Sequence, residues 1–125
     1  MGFTTNPEDD RSFKHSSDIV KPFGVPIIRV NTGDPESVIK VSKLMVRYWR
    51  KFKKDILADM IGFRFYGHNE VDEPSFTQPI MYAKIRSMPT QPTAYGTKLV
   101  ESGVMTEAEV QSVRDQINNH FEAEY

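Results

Sequence analysis

No cysteine occurs in the 125 residues. Disulfides, thiolate nucleophiles and cysteine-ligated zinc or iron–sulfur clusters are therefore excluded, and the chain is compatible with a reducing compartment. No charge of one sign dominates: 16 Lys and Arg face 17 Asp and Glu, so no whole-molecule field points to nucleic acid or an anionic membrane as a partner. No apolar run approaches the roughly 20 residues that span a bilayer, and no basic-then-apolar leader opens the chain. The chain reads as soluble. Internal repeats and low-complexity tracts are absent as well. At this length a single domain over 1–125 is expected, burying roughly two-thirds of its unfolded surface if it folds compactly.

What is present is a succession of periodic segments. After MGFTT, whose residues offer at most a short strand, the stretch 6–17 is polar and without hydrophobic rhythm, so it reads as a surface loop, with order beginning near Asp18. Val25 to Val30 is apolar and β-branched and ends at Asn31-Thr32-Gly33, the pattern of a buried strand and a turn. Asp34 then supplies a helix cap, Pro35 fits the first helical position, and Glu36 complements the dipole. Val38, Val41, Met45, Tyr48 and Phe52 form one apolar stripe, widened by Leu44 and Trp49. Lys40, Lys43, Arg47, Arg50 and Lys54 follow on another face, which reads as the solvated side, since no aromatic interleaving accompanies the charge.

Ile56 to Phe63 is an apolar run with little alternation, as in a strand covered on both faces. Asp59 in its middle needs hydrogen-bonding partners, so it is either a structural acceptor for a neighbouring loop, the favoured reading, or a site residue. Strand, helix and strand with short links predict a βαβ unit with parallel strands, and the fold class is α/β. One sheet edge should remain open. The loop at 64–78 leaves the carboxyl end of the second strand, where open α/β sheets bind ligands. A helical tail at 79–125 follows: Pro79 to Ser87, Thr93 to Ser102 with Gly103 as terminator, and a last helix opened by a Thr106/Glu109 capping box. Val110, Val113, Ile117 and Phe121 line one face of that helix.

The loop itself reads GHNEVDEP from Gly67 to Pro74. His68, Glu70, Asp72 and Glu73 are metal-ligand types, but no helical or hairpin spacing aims two of them at one ion. Acid–base pairs need carboxylates facing each other across a substrate, whereas these lie side by side. Ser75 and Thr77 lack a nucleophile-elbow context. Two readings stand on chemistry alone. One is a polar turn whose acids cap the helix near Pro79. The other is an anion site in which Arg64 and His68 donate, Gly67 lets the backbone approach, and the acids order the loop.

GFRFYGHNEVDEPSFTQPIMYAKIR, residues 62 to 86, resembles the signature of thiamine diphosphate-dependent 2-oxo acid dehydrogenases acting on 2-oxoglutarate or 2-oxoadipate. MGFTTNP, VPIIRVNTGDPESV, FKKDILADMIGFR and YGTKLVESGVMTEAEV are similar to that family in order and spacing, so the resemblance covers essentially the whole chain. It implies the C-terminal part of a thiamine diphosphate-binding fold. The activity implied is that of an oxidoreductase of the tricarboxylic acid cycle. It decarboxylates a 2-oxo acid on thiamine diphosphate and passes the acyl group to a lipoyl acyltransferase within a multienzyme complex, in a bacterial cytoplasm or a mitochondrial matrix. It also implies that Gly67 and His68 reach the cofactor diphosphate, with Arg64 beside them, and that Met1 offers the backbone carbonyl of a magnesium site. The remaining magnesium ligands of the family, a Gly-Asp-Gly aspartate and an asparagine, have no counterpart in this chain, nor does its second domain with the activating glutamate. The expectation is therefore an internal fragment with no catalytic residue of its own, inactive alone. It would complete itself with the rest of the dehydrogenase chain or a homodimer, or serve instead as a binding or assembly module.

Overall fold

The computed structural model describes residues 5–69 and 71–125. Met1 and most of the candidate strand at MGFTT lie outside the described residues, as does Glu70. The chain divides into two compact units, Met1–Ser87 and Met88–Tyr125, where composition leads one to expect a single one.

The stretch 6–17 is not loop throughout. It contains a short helix, α1 (Pro7–Asp10), favoured by a proline at its start and by three acids in its first turn. A 3-10 helix then runs over Ser16–Phe23 and ends at Gly24, whose φ of 67° lies in the left-handed region. Ser17 and Asp18 are buried in it. The physical reason lies on the sheet that follows.

That sheet consists, among the described residues, of β1 (Ile27–Asn31) and β2 (Leu57–Ile61), paired in parallel with Ile27 opposite Leu57 and Asn31 opposite Ile61. They are joined by α2 (Pro35–Phe52), as the predicted βαβ unit requires. Register places Arg29 opposite Asp59. Asp59 accepts from Ser17 Oγ at 2.6 Å and from Arg29 Nε at 3.1 Å. Arg29 also donates to Asp18, which Lys21 approaches at 3.1 Å. Buried carboxylates need such partners. The 3-10 helix folds down because it carries the hydroxyl and the second carboxylate that the Arg29–Asp59 pair demands. Asp59 thus has the structural role its position suggested.

Helix α2 begins where its sequence says it should: Asp34 accepts from the Ser37 N–H at 3.3 Å and from its hydroxyl at 2.7 Å. Val38, Val41, Met45 and Tyr48 are half-buried, but Phe52, Leu44 and Trp49, expected on the same stripe, are exposed, as are Lys40, Lys43, Arg47 and Arg50 of the opposite face, while Lys54 lies beyond the end of the helix. The helix ends at Lys53, a non-glycine residue with φ 53°, whose N–H donates to the Trp49 carbonyl at 2.8 Å.

The buried apolar side chains among the described residues are Val30, Tyr82 and Ile85. Tyr82 and Ile85 belong to α3 (Pro79–Ser87). The expectation that β2 is covered on both faces is overturned: Met60 is 55% exposed and Ile61 47%. An apolar run states what a strand can bury, but the neighbouring elements described here do not reach over these two side chains.

In the second unit, α4 (Gln91–Glu101) starts two residues earlier than its apolar rhythm suggests, with Thr90 at the cap position and Pro92 in the first turn. Gly103, at φ 70°, terminates it. Helix α5 (Glu107–Glu124) opens with the predicted capping box, Glu109 N–H donating to Thr106 Oγ1 at 3.3 Å and Thr106 N–H to Glu109 Oε2 at 2.7 Å. The Thr106 N–H and then its hydroxyl, at 2.9 Å, donate to the Glu109 carboxylate and hold it below its ordinary range. Gly96 lets the two helices approach, since a Cβ there would stand 2.9 Å from Val110 Cγ1. No helix among the described residues is long and apolar enough to cross a membrane.

Candidate functional site

The end of β2 is held beside β1 by Thr32, whose N–H and hydroxyl both donate to the Ile61 carbonyl, at 2.9 and 3.2 Å. From this fixed edge the chain runs through Gly62 and Phe63 into the loop. The loop closes on itself around Asp72, which takes the Asn69 N–H at 2.9 Å on its carboxylate while its own N–H donates to the Asn69 carbonyl at 3.1 Å. That turn presses Asp72 against Gly67. A Cβ on Gly67 would lie 2.5 Å from the Asp72 carbonyl oxygen and from its Cβ. Gly67 is buried, so its lack of a side chain has a packing reason within the loop.

Glu73 does not cap α3. It accepts from the Ser75 N–H at 2.9 Å, capping instead the single 3-10 turn Pro74–Phe76, and it pairs with Arg86 of α3. Ser75, through its side chain and its N–H, and then Arg86 hold the Glu73 carboxyl down at about 2. The loop is also tied to α3 by Tyr82, whose hydroxyl donates to the Arg64 carbonyl at 3.0 Å. Both described acids therefore spend their acceptors on the loop and its support.

The two candidate donors come together. Arg64 Nη1 lies 3.5 Å from His68 Nδ1, and Arg64 Nη2 donates to the His68 carbonyl at 3.3 Å. Both side chains are exposed. His68, Gly67, Asp72, Glu73 and Arg86 share the lining of an open cleft of ≈ 590 Å³ with Phe65, Tyr66, Asn69 and Pro74. Among the described residues no group of three or more His, Asp or Glu side chains is gathered to hold a metal. Arg86 and Tyr82 are the residues that sequence reasoning missed. Their signal was weak: a lone arginine and a lone tyrosine on a short helix.

An arginine and a histidine at a parallel strand's carboxyl end, with Glu73 paired to Arg86 and Asp72 bonded to the Asn69 N–H, form a setting for an oxyanion. The dehydrogenase E1 component family model matches residues 1–125. The chain belongs to that family. Over 110 residues it is 54% identical to a probable 2-oxoadipate dehydrogenase complex component E1 homolog of Dictyostelium discoideum, covering 88% of this chain and 12% of that protein. Over 125 residues it is 44% identical to the 2-oxoglutarate dehydrogenase E1 components of Bacillus subtilis and Bacillus mycoides, covering 100% of this chain and 13% of each. The chain thus spans about an eighth of the length of these relatives.

An E1 dehydrogenase implies thiamine diphosphate, and the loop fits one end of it. Arg64 and His68 present N–H donors, while Glu73 is paired with Arg86 and Asp72 accepts from the Asn69 N–H, so an oxygen of each described acid is engaged within the loop and its support. The described residues do not by themselves fit a magnesium ion, and Met1, the position expected to contribute a carbonyl, lies outside them.

Proposed function

We propose that this chain contributes the C-terminal part of a thiamine diphosphate-binding domain to an E1 component that oxidatively decarboxylates 2-oxoglutarate or 2-oxoadipate and transfers the acyl group to a lipoyl acyltransferase. On this reading the chain is a fragment that does not turn over alone. It works with the rest of a dehydrogenase chain or in a homodimer, in a bacterial cytoplasm or a mitochondrial matrix, and with magnesium held chiefly by residues beyond those described. The observation that carries it is the family match along residues 1–125 together with the Arg64–His68 pair at the β2 edge.

When bound, thiamine diphosphate supplies the carbanion chemistry of decarboxylation. The residues of this chain bind and orient. His68 donates to a diphosphate oxygen, and Gly67 lets the loop close on Asp72 so that His68 is presented at a fixed place. Glu73 and Arg86 fasten the far side of the loop to α3.

Replacing His68 by Ala in a complete dehydrogenase carrying this segment should weaken thiamine diphosphate affinity about tenfold or more, as expected on losing a charge-assisted hydrogen bond. Unchanged affinity, measured by calorimetry, would sink the assignment of His68. A second reading, a binding or assembly module without catalysis, is favoured by the exposed apolar side chains of α2 and β2. It predicts that the chain captures a partner while a dehydrogenase rebuilt around it gains no activity.

A further inference from the structure

Arg64 stands next to His68 as a second N–H donor, and the simplest assumption gives both the same task. The geometry points elsewhere. A guanidinium has five N–H donors and no acceptor. Its approach to His68 Nδ1 at 3.5 Å can be a hydrogen bond only if Nδ1 carries the lone pair, which leaves the ring proton on Nε2. A second donor of the same guanidinium reaches the His68 carbonyl at 3.3 Å, so one side chain grips both the ring and the backbone of one residue. The arginine is in turn anchored through its own carbonyl, which accepts from the hydroxyl of Tyr82, a side chain only 6% exposed in the core. A continuous link runs from α3 through Tyr82 and Arg64 to the imidazole.

We propose that Arg64 is a positioning residue that fixes His68 in the Nε2–H tautomer and turns that donor toward an anionic oxygen, without itself being the main contact to the anion. The proposal rests on the reading of His68 as the residue that meets the cofactor diphosphate. It adds a specificity consequence: a neutral imidazole held with Nδ1 occupied and Nε2 protonated offers a donor and no free lone pair. It therefore suits a phosphate oxygen and not a metal ion.

The chain has 3 histidines, so labelling histidine with nitrogen-15 gives one ring for each of His15, His68 and His120. Long-range nitrogen–proton correlation of the whole 125-residue chain, at a pH where the rings are neutral, shows which nitrogen carries the proton. The wild type should show His68 protonated on Nε2. Arg64→Met, which keeps the stem and removes the donors, should bring up the Nδ1–H form while His15 and His120 keep their signals as controls for folding. Arg64→Lys should fall between. A wild-type His68 protonated on Nδ1 overturns the proposal whatever the variants do, and so does an unchanged tautomer ratio in Arg64→Met.

In a complete dehydrogenase, Arg64→Met should weaken thiamine diphosphate binding by less than His68→Ala does; an equal or larger loss would make Arg64 a direct ligand instead. The tautomer readout needs no cofactor. If His68→Ala leaves cofactor affinity intact while the tautomer behaves as stated, the functional reading fails and the Arg64–His68 link survives.

Discussion

Single residues in the loop are constrained by contacts that differ in how far they can yield. At Gly67 an added methyl meets the Asp72 carbonyl oxygen at 2.5 Å, which is backbone locked into the Asn69 turn. At Gly62 the methyl meets the Thr32 hydroxyl at 2.3 Å, the end of a side chain that can rotate. Gly67→Ala should therefore cost about 1–3 kcal/mol, the usual range for overpacking a closed site. Gly62→Ala should cost about 1 kcal/mol, the hydrogen bond from Thr32 to Ile61. Urea denaturation of the two variants checks the order, and a larger loss at Gly62 would contradict it. Glu73 adds a pH dependence. Its folded carboxyl sits at about 2 against an ordinary 4.5, so its contribution is fully present above about 4.5 and is lost as pH falls through about 2. Loop protection at the Ser75 amide, followed by hydrogen exchange, should decline across that window in the wild type and be already reduced and flat in Glu73→Gln.

Between elements, the group made by Ser17, Asp18, Arg29 and Asp59 joins the 3-10 helix to both strands. Removing Asp59 takes the acceptor from the buried Ser17 hydroxyl and leaves Arg29 with Asp18 as its remaining carboxylate. A fully buried broken pair would cost more, but the Arg29 side chain is 37% exposed and water softens its loss. Asp59→Ala should cost about 1–3 kcal/mol. A double-mutant cycle with Arg29→Ala should show coupling, and strict additivity would mean that the pair is incidental. At Asp18 burial pushes the carboxyl up, but the Lys21 hydrogen bond, the His15 N–H and the Lys21 and Arg29 charges outweigh it and hold it below its ordinary range. Its share of the clamp is thus also lost toward acid pH.

What was legible in the sequence follows the same division. β1, α2, β2 and the N-terminal caps of α2 and α5 are set by neighbours a few residues apart, and they appeared where period and capping chemistry placed them. Arg64 and His68, four apart, could be paired on paper. Ser17 with Asp59, 42 residues away, could not, nor could Tyr82 with Arg64 at 18 or Arg86 with Glu73 at 13. Those contacts depend on how elements dock, which no local pattern encodes. The burial of β2 was misjudged for a related reason: the run gives the strand's appetite for cover, not the supply.

At the scale of the whole chain, that supply is the open quantity. No large side chain among the described residues is fully buried, while Leu44, Trp49, Met60 and Ile61 are each about half exposed. Apolar surface on a strand edge and an amphipathic helix favours association, by roughly 25 cal/mol for each Å² removed from water. If the chain works inside a larger E1 assembly, these side chains are interface, and in isolation they should find one another. The chain carries a single tryptophan, Trp49, 54% exposed with the Lys53 ammonium 4.5 Å from its ring centroid. Its emission can therefore report whether that part of α2 becomes covered. Sedimentation velocity over a concentration series should show self-association, with Trp49 emission moving to the blue as it proceeds. Met60→Lys with Ile61→Lys should weaken the association about tenfold, because each places a charge on the surface that must be desolvated. A monodisperse monomer with constant emission at every concentration would show that the exposed apolar faces are tolerated surface, and would remove their support for a larger assembly while leaving the His68 site untouched.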